Sequence, residues 1–147
     1  MRAEIERYAG STVVQAVNRP AGFSPGLAAK LLLADGRAVF AKAAGSARHA
    51  FAPILHRREI EVLRQLPRSV PAPQLIGSFD DDDWVALVCE YVEGHQPAEP
   101  WHDTELAAVI ATLVHLAETC TPNPIASLPT LAETHAASMN GWRELSE

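Results

Sequence analysis

"AVFAKAAGSARHAFAPILHRREIEVLRQL", residues 38–66, is the stretch whose reading decides the fold. It opens with "VFAKAA", an apolar, strand-like run with one lysine, Lys42, inside it. It closes with "APILHRREIEVLRQL", which reads as a helix: Pro53 suits a first turn and Pro67 stands at the end. Leu55, Val62, Leu63 and Leu66 recur at i, i+7, i+8 and i+11 and mark an apolar stripe. Glu59, at i+4, falls in the middle of that stripe, while Glu61 points the opposite way. A carboxylate facing a core needs a cationic partner, because an unpaired buried charge costs several kcal/mol. Lys42 is the matching oddity. It is one of only two lysines, Lys30 being the other, and every other basic residue is arginine. The sequence therefore predicts a Lys42–Glu59 ion pair between a sheet and a helix. Spacing alone leaves three readings open: a structural salt bridge, a Glu59 at the solvent edge of the stripe, or a lysine ammonium held at a fixed point, as a phosphate ligand requires.

Toward the N-terminus, "STVVQAVN", residues 11–18, reads as a strand rich in β-branched residues. The loop from Arg19 to Gly26 contains Gly22-Phe23-Ser24-Pro25-Gly26. It matches neither GxGxxG nor GxxxxGK[ST], so taken alone a surface turn is the plainer reading. The alternative is a turn that aims N–H groups and the Ser24 hydroxyl at an anion. "LAAKLLLADGRAVFAKAA" reads as a hairpin turned at Asp35-Gly36. The two lysines then sit on adjacent antiparallel strands, with the Lys30 stem packed and its head in water.

Toward the C-terminus, "VPAPQLIGSF" is extended, Asp80 to Asp83 form a solvated polar turn, and "WVALVCEYV" is a buried strand. In "LVCEYVEG", residues 87–94, the chain leaves the sheet and backbone groups lose their ladder partners. A simple connection accounts for this, and so does a backbone that reads the polar edge of a planar base. "EGHQPAEPW" is a proline-punctuated linker. "TELAAVIATLVHLAE" is a helix with Leu106, Val109, Ile110, Leu113 and Ala117 on one face and Asp103 as N-cap. "TLAETHAASMNGWRELSE" is weakly helical. The expected fold class is α+β: a small antiparallel sheet plus one helix in residues 1–93, a linker in 94–102, and the start of a helical part in 103–147.

Composition narrows the function classes. With 147 residues, 48% apolar and 20% charged, the chain can bury a core. Its net charge is −6, and the five arginines between Arg48 and Arg68 are too sparse for a nucleic-acid surface. Cys89 and Cys120 lack paired spacing, and the six histidines lack ligand spacing. This argues against a disulfide framework or a zinc site and for a reducing cytoplasm. No apolar signal region opens the chain, and no run approaches the roughly 20 residues of a membrane span. A cytoplasmic protein with neither nucleic-acid nor membrane partner is expected.

Taken in order, "GFSPGLAAKLLL", "VFAKAA", "HRREIEVLRQL", "VPAPQLIG" and "LVCEYVEG" resemble the N-terminal lobe of the aminoglycoside phosphotransferase and choline-kinase-like enzymes, relatives of protein kinases. "ELAAVIATLVHLAE" is similar to the first helix after the hinge in that family. The resemblance covers most of residues 10–118. It implies a protein-kinase-like fold and an ATP-dependent phosphotransferase. The γ-phosphate would go from ATP, with Mg2+, to a hydroxyl of a small molecule such as an aminoglycoside-like antibiotic, an amino alcohol or a sugar. By the same resemblance Lys42 binds the α/β-phosphates and Glu59 holds Lys42 in place. Phe23 and Ser24 lie on the loop over the phosphates. Cys89 is the gatekeeper, and the Glu90 carbonyl and Val92 N–H bond the adenine edge. Phe40, two residues from Lys42 on the same strand face, either packs on adenine or is an ordinary core residue.

The family's catalytic aspartate and metal-binding asparagine come from an HxDxxxxN loop, and a further aspartate follows it, all in the C-terminal lobe. The 147 residues contain no such loop. His102-Asp103 lacks the intervening residue, and Asn18, Asn123 and Asn140 have no His-x-Asp upstream at the right spacing. The catalytic residues are thus expected to be absent and the chain to be truncated and inactive as it stands. Apolar surface should be left uncovered along "AAVIATLVHL" and around Trp142. The competing expectation is a non-catalytic kinase-like module that binds a nucleotide or a protein.

Overall fold

A computed structural model describes residues 1–19 and 26–139. In chain order its elements are α1 (Arg2–Ala9), β1 (Val13–Asn18), β2 (Leu27–Leu33), β3 (Ala38–Gly45), α2 (Phe51–Gln65), β4 (Leu75–Asp80), β5 (Trp84–Glu90), α3 (Asp103–Thr119) and α4 (Leu131–Met139). The strands form one antiparallel sheet in the order β1-β2-β3-β5-β4. None of the described helices is long and apolar enough to cross a membrane.

Strand periodicity divides the core in two. Ala29, Leu31 and Leu33 of β2, Val39 and Ala41 of β3 and Val88 of β5 pack with Ile5 and Ala9 of α1 on one face. Val85, Leu87 and Cys89 of β5 pack with Ile60 of α2 on the other, flanked by Leu63 and Leu75. Strand β5 is covered on both sides, which is why residues 85–89 form an unbroken apolar run and are all buried.

Helix α1 was not anticipated from its charged sequence. Ile5 and Ala9, one turn apart, supply its buried face, and Gly10 ends it at φ 69°, its N–H donating to the Glu6 carbonyl. Glu6 ties the helix to β1 by accepting from the Val13 N–H at 2.9 Å. That bond, helped by Arg2, holds the Glu6 carboxyl below its ordinary value. The Tyr8 ring lies so close over Gly77 that an added Cβ there would overlap it. Glycine at this point lets α1 settle on β4.

Three further expectations are corrected. The β2–β3 connection is a three-residue loop, closed by Leu33 N–H to Arg37 C=O at 2.9 Å with Gly36 at φ 86°, and not a two-residue turn. The buried face of α2 is Ala52, Pro53, His56 and Ile60. Leu55 is 47% exposed, so the stripe is rotated from the one read off the leucines, and Glu59 sits at its margin. The N-cap of α3 is His102, one residue earlier than read, and makes no side-chain capping bond.

Candidate functional site

Lys42 and Glu59 are brought together by the packing of α2 on β3. Lys42 Nζ lies 2.7 Å from Glu59 Oε1. Each side chain is 34% exposed, so solvent screens the pair and its contribution to stability is small, at most about 1 kcal/mol. Its consequence is geometric. Lys42 is in register with Leu87 of β5, and Phe40 with Cys89, so all four point to the α2 side of the sheet.

These residues line a cavity of about 120 Å3 formed by Phe40, Lys42, Glu59, Leu63, Pro73, Leu87 and Cys89. Its wall is apolar apart from the ion pair. An apolar slot beside one fixed cation suits a ligand with a flat, weakly polar body and an anionic tail. A larger concavity, about 480 Å3, runs past Asn18, Gly26, Arg48, His49 and Trp84. It contains no member of the ion pair, so the smaller cavity is the better candidate.

Burial pushes the Cys89 thiol up to about 11, with a further push from the Glu59 charge that Lys42 opposes. Cys89 is therefore a neutral wall residue at pH 7 and not a nucleophile. Its neighbourhood also holds His56, 3% exposed, whose Nε2 has no hydrogen-bond partner among the described residues. Burial lowers the His56 pKa, and Glu59 and Lys42 act on it in opposite directions. His56 is thus a neutral imidazole behind the ion pair.

Of the residues singled out from the sequence, Phe40, Lys42, Glu59 and Cys89 share the cavity. Phe40 is half-buried, a cavity wall rather than a fully enclosed core residue. Glu90 and Val92 lie outside the cavity, at and just beyond the end of β5. The Glu90 N–H donates to the Gln74 carbonyl at 3.0 Å, and its carboxylate accepts from the Gln74 N–H at 3.2 Å. Val92 is 66% exposed, and its N–H makes no hydrogen bond among the described residues. Phe23 and Ser24 lie outside the described residues, as does Trp142. Sequence reading missed Leu63, Pro73 and Leu87 as cavity residues. The period of two from Cys89 could have found Leu87, whereas Pro73 is delivered by a loop and carries no periodic signal.

Lys30 departs from its expected role. Its side chain is 17% exposed, its Nζ lies 2.6 Å from Glu93 Oε1, and it sits 4.0 Å above the centre of the Tyr91 ring.

The sequence matches no protein-family model and no curated protein. Among solved structures it is similar to a protein named as a fructosamine-3-kinase from Haemophilus somnus 129PT, with 10% identity over 88% of this chain and a TM-score of 0.51. A second similar structure is Rad53 1-466 in complex with AMP-PNP, with 17% identity over 73% of this chain, 30% of that chain and a TM-score of 0.44. The chain spans 39% of the first of these. At such identities the likeness concerns the fold. The chain has a protein-kinase-like α+β fold, an N-lobe sheet with its helix followed by the first helices of a helical lobe.

Proposed function

We propose that this chain is the nucleotide-binding part of a small-molecule kinase of the aminoglycoside phosphotransferase and choline-kinase-like kind. The single observation that carries the reading is the Lys42–Glu59 pair at the rim of an apolar cavity. Phosphoryl transfer asks the protein chiefly for position and charge. Lys42 would bind the α/β-phosphates of ATP, with Glu59 keeping its ammonium from swinging into solvent. Phe40 would pack on the adenine, Cys89 would limit the depth of the slot, and the Glu90 carbonyl and Val92 N–H would meet the base edge. Phe23 and Ser24 would cover the phosphates. The acceptor would be a hydroxyl of an antibiotic, amino alcohol or sugar. Its aspartate base is assigned to no residue here, since the 147 residues contain no HxDxxxxN. The ligands of the Mg2+ that accompanies ATP are assigned to no described residue, since these hold no group of three His, Cys, Asp or Glu side chains fit for a metal.

Titration calorimetry with ATP tests the reading. Lys42→Ala should weaken binding about tenfold or more, the value of a charge-assisted hydrogen bond. Glu59→Gln should weaken it about threefold, by loosening the lysine. Equal affinity in Lys42→Ala removes Lys42 from the phosphate site. A second reading, a non-catalytic nucleotide-binding or protein-interaction module, is favoured by the lack of HxDxxxxN in the 147 residues. An in-frame HxDxxxxN encoded beyond codon 147 decides for the enzyme, and a stop codon there for the module.

A further inference from the structure

Three contacts converge where β5 gives way to the linker. Lys30 of β2 places its ammonium 2.6 Å from the Glu93 carboxylate and 4.0 Å over the Tyr91 ring. Arg19, just after β1, donates from Nη2 to the Tyr91 hydroxyl at 3.3 Å. The Arg19 N–H continues the β1–β2 ladder by donating to the Ala28 carbonyl at 2.8 Å. Both cations are therefore rooted in one hairpin, and both reach the same three-residue segment.

These contacts are placed where they affect the candidate site. Lys30 is in register with Phe40, and Phe40 with Cys89, so the three form a row across the sheet on the cavity side. Val92, whose N–H makes no hydrogen bond among the described residues, lies between the two strapped residues Tyr91 and Glu93. A segment outside the ladder has no sheet bonds to fix its dihedrals. Here side chains from a neighbouring hairpin supply what the ladder no longer does. A lysine with only 17% exposure on an otherwise polar rim also shows that the ammonium is held rather than free.

We propose that Lys30, assisted by Arg19, is a positioning residue. It straps the 91–93 segment to the β1–β2 hairpin and so fixes the Val92 N–H that meets the edge of a purine base. This rests on the nucleotide-binding reading above and adds to it a division of labour. Lys42 acts on the phosphates, and Lys30 acts on the base through Tyr91 and Glu93 without touching the ligand.

The test uses the whole chain with Lys30→Met and Lys30→Arg, and three probes: ATP, adenosine and inorganic tripolyphosphate. Loss of an ion pair and a cation–ring contact should lower ATP and adenosine affinity about tenfold in Lys30→Met. Lys30→Arg should restore most of it, because guanidinium also pairs with carboxylate and stacks on an aromatic ring. Tripolyphosphate affinity should not move. In Lys42→Ala the pattern should invert. The chain's two tyrosines give an independent reading by 19F NMR of fluorotyrosine-labelled protein. Tyr91 should shift in Lys30→Met and return in Lys30→Arg, while Tyr8, on α1 against Gly77, stays fixed and reports an intact fold. The proposal is overturned if Lys30→Met binds adenosine as tightly as the unmodified chain, or if tripolyphosphate binding falls in step with adenosine. If the unmodified chain binds none of the probes, the nucleotide reading fails. The strap is then judged on the fluorine signals alone, and a Tyr91 resonance unmoved by Lys30→Met overturns it.

Discussion

His56 shows how a single side chain gives the site a pH limit. Its ring is buried beside Lys42 and Glu59, and burial lowers its pKa from the ordinary 6.5. The unfolded chain then binds a proton more readily than the folded one over the interval between the two values. Stability is therefore full above about pH 6.5 and falls as pH drops through that interval. Carboxylates held low by hydrogen bonds lose their contribution only at lower pH, as it falls below their ordinary values, 3.8 for Asp80, held chiefly by Arg57, and 4.5 for Glu6, held chiefly by the Val13 N–H. Urea midpoints at about pH 7.5 and 5.5 thus isolate the imidazole. The midpoint should fall at the lower pH, and His56→Leu should flatten the difference. An unchanged difference in His56→Leu would assign the pH dependence elsewhere. The Lys42–Glu59 pair was legible at this scale because two charges stood out against apolar surroundings. His56 was not, since a histidine among arginines on a helix carries no sign of which way it faces.

Elements depend on close approaches that only small residues allow. Tyr8 of α1 sits on Gly77 of β4, and Ile5 and Ala9 complete the seal over one face of the sheet. Gly77→Ala should destabilise the chain by about 1–3 kcal/mol, the range for overpacking a filled core. The measurement is chemical unfolding, with Tyr8→Ala in the same background as the control. The double variant should recover part of the loss, because the removed ring is what the new methyl strikes. Absence of any coupling would show that α1 yields freely. Strands and α2 were legible from their periods of two and near four. The rotation of the α2 stripe was not. Leucines dominate a pattern read by hydropathy, yet Ala52 and Pro53 fit closer to the sheet while Leu55 remains outside.

At the scale of the molecule, the sheet is covered on both faces, but α3 buries none of its residues. Ile110 and Leu113 are 52% and 58% exposed, and Leu106, Val114 and Leu116 add to the same apolar surface. A 17-residue helix with this composition gains little by itself and much by being covered. The isolated chain should bind a hydrophobic dye and scatter light increasingly with concentration. Ile110→Glu with Leu113→Glu should reduce both effects severalfold at unchanged sheet stability. Equal scattering before and after the change would mean that association uses another surface.

The sequence by itself determined the α+β class, the five strands, the α2 helix and the meeting of Lys42 with Glu59. Each rests on local periodicity or on the cost of an unpaired charge, and both leave marks along the chain. Tertiary structure decided the rest. It placed α1 across the back of the sheet, turned α2 so that His56 lies behind the ion pair, and brought Pro73 and Leu63 to the cavity. It also took Lys30 from solvent to Glu93, 63 residues away. Such contacts join residues distant in sequence, and their energies depend on packing and register, which no local pattern records.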